Sequence, residues 1–342
     1  MAKQFRWSLS LGLTMFAALT AIVYNQLQAS VTTRVNRPVC LTGPILTGCF
    51  SQPIKLSKQQ PTAIALGSNG QLLATSSVGR VQLWNLLTGT PMQDPWQAHE
   101  QAITALEFSP DGRILASASL DQTVKLWELS SGQLLHILRT GRVSTLRFSP
   151  DGQTLALGSR VIQWADNVRS KGGVQLWQVK TGTLRYHLGT APIKAIAFSP
   201  DLTWLATSNN HVQLWRLGSF RPAHHLPTGE VTALLFSHNS RQLTTGGNTL
   251  QVWQVAPGKL LHQFKSRSFD LTLSPDGNTL ATVDGGLVHL WQTRPYRLLG
   301  SLRSSWYSSL FVRFGLNGTE LVTGSSDGVN LWRSTRPLQP GR

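Results

Sequence analysis

The chain has 342 residues, a formal net charge of +16, 41% hydrophobic residues and 12 Trp. That apolar content excludes disorder over most of the length, and the length alone suggests two domains unless an internal repeat sets the count. Only 13% of residues are charged, with 31 Lys and Arg against 15 Asp and Glu, so the imbalance comes from scarce acids.

Lys3 and Arg6 open the chain, and no charged residue follows from Trp7 to Thr33. The apolar heart of this run, about Leu9 to Tyr24, is marginally long enough as a helix to span a bilayer. Leu27-Gln28-Ala29 is an imperfect version of a signal-peptide cleavage site. Residues 1–30 are therefore expected to be one hydrophobic helix, an uncleaved signal anchor. The alternative is a cleaved signal that leaves a secreted or periplasmic protein. Both keep Lys3 and Arg6 inside and send the rest across. A buried helix of a cytosolic protein fits less well, because the segment is terminal and outside the repeats. No cysteine follows closely enough for lipid attachment.

Residues 31–49 read as a linker. Cys40 and Cys49 lie in it with eight residues between them. In an oxidising compartment they could close a small loop, and two separate thiols are equally compatible with the spacing. No second Cys/His pair accompanies them, so a zinc site is not expected.

From about residue 50 one unit recurs: an alternating strand, Ser-Pro-Asp-Gly, a Leu-Ala strand, a turn, and an alternating strand ending in a Trp. The closing residues are Trp84, Trp127, Trp177, Trp215, Trp253, Trp291 and Trp332, separated by 43, 50, 38, 38, 38 and 41 residues. A period of about 40 with a closing aromatic marks propeller blades. In the second copy, Ile103 to Phe108 alternate as an inner strand, and Ser109-Pro110-Asp111-Gly112 is a tight turn. Ile114 to Ala118 form a second strand, Val124 to Trp127 a third, and Leu134 to Leu138 an outer one. The turn recurs at Ser149-Pro150-Asp151-Gly152 and Ser274-Pro275-Asp276-Gly277. It weakens to Ser199-Pro200-Asp201, Ser237-His238-Asn239, Asn69-Gly70 and Asn317-Gly318.

These repeats resemble the WD40 family over about residues 50 to 334. The resemblance implies an all-β, seven-bladed propeller with an outer strand from one terminus completing the last blade. Pro337 and Pro340 disfavour the tail 335–342 for that role, so Gln52 to Ser57 is expected to pair with the strand ending at Trp332. The family's intra-blade network is matched in the second copy alone, by His99, Ser117, Asp121 and Trp127. The resemblance makes these four structural rather than a catalytic triad. Elsewhere the Asp position holds Val78, Lys171, Asn209, Gly247, Gly285 and Ser326.

No phosphate loop or HExxH occurs. The adjacent pair His224-His225 reads as outer-strand surface, and no carboxylate pair is nominated. No metal, cofactor or catalytic residue is expected. Binding is better supported. The third copy carries an insertion, Arg160 to Gly173, with Trp164, Arg169 and Lys171; blade-joining loops carry Trp96, Arg142, Lys265, Arg267, Arg303, Trp306 and Tyr307. By family topology these share one face, here called the top. Aromatic and Arg side chains anchor interfaces, and a basic surface attracts polyanions. The reading is a monomeric, non-enzymatic protein-interaction scaffold, membrane-anchored or exported, whose basic aromatic face binds an acidic partner. Trp164 folding back over its own blade, or scattered bases serving solubility alone, are the plainer alternatives. An extracytoplasmic propeller hydrolase is a competing reading. A cytosolic propeller associated with nucleic acid is another, which the N-terminal segment argues against.

Overall fold

In the computed structural model each repeat folds as one blade, a sheet of antiparallel strands. The structure describes residues 39–40, 49–50, 54–57, 60–68, 70–159, 164–165, 168–169, 172–189, 191–304, 309–315 and 318–334. The N-terminal segment 1–30 and the tail 335–342 lie outside them. Among the described residues no helix is long and apolar enough to cross a membrane.

The second blade shows the plan. Ile103–Phe108 is innermost, followed outward by Ile114–Ser119, Thr123–Glu128 and Leu134–Arg139. Six blades have this four-stranded order. The first departs from it: its edge carries two short pieces, Thr90–Pro91 and Trp96–Gln97, both paired with Arg80–Asn85. In the seventh, Ile54–Ser57 pairs antiparallel with Gly328–Arg333, Ile54 opposite Leu331. The N-terminal side of the ring thus supplies the outer strand of its last blade. Gln52 lies outside the described residues. The insertion of the third blade contains a two-stranded ladder, Trp164–Ala165 against Val168–Arg169.

A blade cannot bury itself, because alternate residues of a strand point to opposite faces. The Leu-Ala step of the second strand uses that alternation. Leu115 packs in the core shared with the first blade, and Ala116 in the core shared with the third. Leu155 and Ala156 split the same way, as do Leu205 and Ala206, and Leu280 and Ala281. Seven inter-blade cores result. The seventh joins Ile64 and Leu73 of the first blade to Val322 and Leu331 of the last, with Leu56 of the closing strand buried among them, and this closes the ring.

The turns at the other ends of the inner strands are built from short polar side chains. The Ser109 hydroxyl donates to Asp111 Oδ1 at 2.5 Å, and Asp111 Oδ1 accepts from the Arg113 amide at 3.1 Å. Those bonds hold the Asp111 carboxyl below its ordinary range, the Ser109 hydroxyl contributing most. Ser149–Asp151, Ser199–Asp201 and Ser274–Asp276 repeat the contact. The residue after Asp has positive φ: +70° at Gly112, but +58° at Leu202, where the fourth blade has no glycine. An L side chain in that region costs about 1–2 kcal/mol. Leu202→Gly should therefore raise stability by about 0.5–1 kcal/mol, and Gly112→Ala should lower it by about 1 kcal/mol. Urea midpoints moving in opposite directions for the two variants would bear this out; equal shifts would remove the backbone argument.

Candidate functional site

Three features of the ring carry chemistry that packing alone does not require: one polar network inside the second blade, a charged central channel, and the loops joining successive blades.

The network joins the loop before the inner strand to the second and third strands and the turn between them. His99 precedes the inner strand, and its Nδ1 lies 2.8 Å from Asp121 Oδ2, its Nε2 2.7 Å from Ser117 Oγ. The Trp127 indole N–H donates to the same Ser117 oxygen at 3.0 Å, and the Thr123 hydroxyl donates to Asp121 Oδ1 at 2.7 Å. His99 and Ser117 are buried. Burial pushes the His99 pKa down, against the Asp121 carboxylate that pulls it up. Burial opposes the Asp121 charge too, but bonds from Thr123 and His99 outweigh it and hold that carboxyl low. Ser117 Oγ faces into the blade with its neighbours engaged, an arrangement that fixes strands.

The channel is a cavity of about 600 Å³ lined by the inner strands of all seven blades. Four charges on its wall were not singled out by sequence reasoning. Arg147 donates to Glu107 at 2.5 Å, joining the second and third blades. Arg313 donates to Asp270, joining the seventh and sixth, and the Val312 amide donates to the same Asp270 oxygen at 3.0 Å. Burial pushes the Glu107 carboxyl up, while Arg147 and then Arg313 pull it back; Glu107 in turn raises Arg147. A signal was available: Glu107, Arg147 and Arg313 each precede the closing Phe of an inner strand, where Ala197 and Leu235 stand in other blades. The sequence nominates no carboxylate pair; the ring brings two carboxylates to the channel, each engaged by an arginine. Among the described residues no group of three or more His, Cys, Asp or Glu could hold a metal.

The blade-joining residues divide. Arg142, Lys265, Arg267 and Arg303 are exposed. Trp96 is half-buried, its ring edge-on to Trp127 at 6.2 Å, so it caps the packing between the first two blades rather than standing out as an anchor. Trp164 and Arg169 sit opposite each other in the insertion ladder. Arg160, Lys171, Trp306 and Tyr307 lie outside the described residues. Cys40 and Cys49 face each other in register across the ladder of Val39–Cys40 and Cys49–Phe50. His224 and His225 lie on the outer strand Arg221–Leu226, where His225 stacks on His211 at 4.0 Å.

Closed in this way, the ring is a seven-bladed β-propeller. Residues 89–128, 178–216 and 217–254 match the family model described as WD domain, G-beta repeat, so these stretches of the ring are similar to WD40 repeats. Similar curated proteins include Target of rapamycin complex subunit LST8 from Saccharomyces cerevisiae, 30% identical over 25% of this chain and 29% of that protein. Ribosome assembly protein 4 from the same yeast is 33% identical over 20% of this chain and 14% of its own length. Small ribosomal subunit protein RACK1y from Oryza sativa subsp. japonica is 35% identical over 18% of each chain. The chain thus spans less than a third of the length of the relatives it matches.

The His99 network makes a pH prediction. The folded His99 pKa lies below the ordinary value of 6.5, so its stabilisation is complete above that pH and declines as pH falls from 6.5 through the lowered value. His99→Asn should cost about 1–3 kcal/mol at pH near 7.5 through lost partners. It should also flatten the fall in Tm between about pH 6.5 and 5. His211 and His289 are likewise lowered by burial, so part of the slope remains. Thermal melts across that range that stay parallel for the two proteins would exclude His99 as a contributor.

Proposed function

We propose that this protein is a non-enzymatic interaction platform that holds a protein partner on the top face of its propeller. The observation that carries this is the set of exposed cations, Arg142, Lys265 and Arg267, on blade-joining loops of a closed ring. Cations fixed on a scaffold favour an acidic partner, chiefly through association rate and specificity. Relatives named as a complex subunit, a ribosomal subunit protein and a ribosome assembly protein support a role within assemblies. The hydrolase reading is weaker. The two channel carboxylates are each bonded to an arginine, whereas hydrolytic pairs need one carboxyl to carry a transferable proton.

In the same proposal the segment Leu9–Tyr24 tethers a monomeric propeller outside the cytoplasm, with Lys3 and Arg6 behind it. Cys40 and Cys49, in register across their short ladder, then close a disulfide in that oxidising compartment.

Two measurements test the proposal. In spheroplasts, a C-terminal tag should be membrane-bound and open to added protease; a soluble, protected tag would overturn the tether and favour a cytosolic partner or nucleic acid. A photo-crosslinking side chain at position 142 or 267 should capture one protein partner. Capture from position 151, at the opposite end of the blade, with none from 142 or 267 would move the interface to the other face.

A further inference from the structure

The scarcity of acids is not spread evenly over the ring. The six full outer strands, from Ile54–Ser57 through Leu134–Arg139 to Tyr296–Arg303, contain no Asp or Glu, and each has at least one Lys or Arg. The turns at one end of the blades hold Asp111, Asp151, Asp201 and Asp276 instead. The circumference is therefore basic as well as the top face, and the opposite flat face is lined with carboxylates.

Over the second to fourth blades this circumference is also apolar. In Leu134–Arg139, Leu138 is buried in the core shared with the third blade. Its neighbours Ile137 and Arg139 alternate to the other side, toward the first blade, and Leu135 sits at a bulge of the same strand. The first blade has only its two short edge pieces there, so Ile137 is 52% exposed and Leu135 40%. One blade further, Tyr186 is 49% exposed and stacks on Phe220 at 4.1 Å. The outer strands are neighbours: the His136 ring donates to the Lys180 carbonyl of the third blade at 3.2 Å. Arg139, Arg185 and Arg221 are exposed on these strands and make no ion pair with a carboxylate among the described residues.

Single exposed aliphatic residues are ordinary. Aliphatic and aromatic side chains set among cations that no carboxylate pairs with among the described residues match a different environment. At the surface of an anionic bilayer, apolar side chains enter the acyl boundary while cations meet phosphates. An acidic protein would satisfy the cations but gives no reason for Leu135 and Ile137 to stay uncovered. We propose that the rim of the second to fourth blades docks edge-on against an anionic phospholipid surface. Edge-on docking keeps the Asp-lined face off the lipid and leaves the top face open.

The test uses the full chain and sedimentation with vesicles of phosphatidylcholine alone or with ~30 mol% phosphatidylglycerol. The N-terminal segment is the same in every variant, so differences between variants report on the rim. Wild type should bind the anionic vesicles at least about tenfold more tightly, and less so as salt rises. Arg139→Glu with Arg185→Glu and Arg221→Glu should lower that affinity roughly a hundredfold or more, since each juxtamembrane cation is worth about fivefold. Leu135→Ser with Ile137→Ser should weaken anionic-vesicle binding about fivefold or more, while leaving binding to polyglutamate unchanged. Circular dichroism melts that match wild type would confirm that both variants fold. Equal wild-type binding to the two vesicles would overturn the proposal. So would a folded charge-reversal variant that binds as wild type. A serine variant that binds anionic vesicles normally, with polyglutamate competing, would overturn it in favour of an acidic protein.

Discussion

Every blade of this propeller depends on burying both faces of a thin sheet against two neighbours. A strand delivers alternate side chains to opposite faces, and the repeats exploit this with a large residue followed by a small one. Leu115 fills the core behind its blade and Ala116 lets the next blade approach. The closing Trp and the residue before it divide in the same sense: Trp127 lies against the first blade's core, Leu126 against the third's. A step that served only one core would leave the other face in water. The ring is thus a circle of seven shared cores, and no blade's packing is complete without the two beside it.

Polar bonding refines this packing more than it creates it. Trp84, Trp215, Trp291 and Trp332 each donate their indole N–H to a Thr of the second strand, at 2.9 to 3.0 Å. Among the described residues, only in the second blade does the bond extend through His99 to Asp121. The third blade has Leu157 at the hydroxyl position, and its Trp177 turns to Gln175 instead. In the fifth, Trp253 Nε1 and Thr245 Oγ1 are buried with no hydrogen-bond partner among the described residues. Such groups cost about 1–3 kcal/mol each, which leaves that blade more reliant on its apolar cores. Apolar packing tolerates this variation because it needs volume and alternation, whereas a bonded chain needs every member.

Once the ring is closed, its electrostatics separate by radius and by face. The channel holds two ion pairs that bridge neighbouring blades, Glu107 with Arg147 and Asp270 with Arg313. The turn aspartates have a local task, accepting bonds that shape each turn. Carboxylates are thus largely committed to structure, and the excess cations remain on the loops and rim. A partner approaching this molecule meets a surface whose negative charges are mostly engaged. Binding, rather than proton transfer at a free acid and base, is the chemistry such a distribution favours.

The order of strands, the turns and the seven closing Trp residues were legible in the sequence, because each is fixed by neighbours a few residues away: Pro-Asp-Gly steers a turn, and period-two alternation makes a strand. The strand that closes the ring was legible too, since Pro337 and Pro340 disqualify the other end of the chain. The channel quartet was not. Glu107 and Arg313 are over two hundred positions apart, and only closure brings the first residue's wall to the last one's. Trp96 read as an exposed anchor because its loop is polar; the shortened edge of the first blade instead folds it over Trp127. The basic rim escaped notice for the same reason. Its cations are dispersed along the chain one strand per repeat, and become a single surface only when seven blades set every outer strand at the same radius.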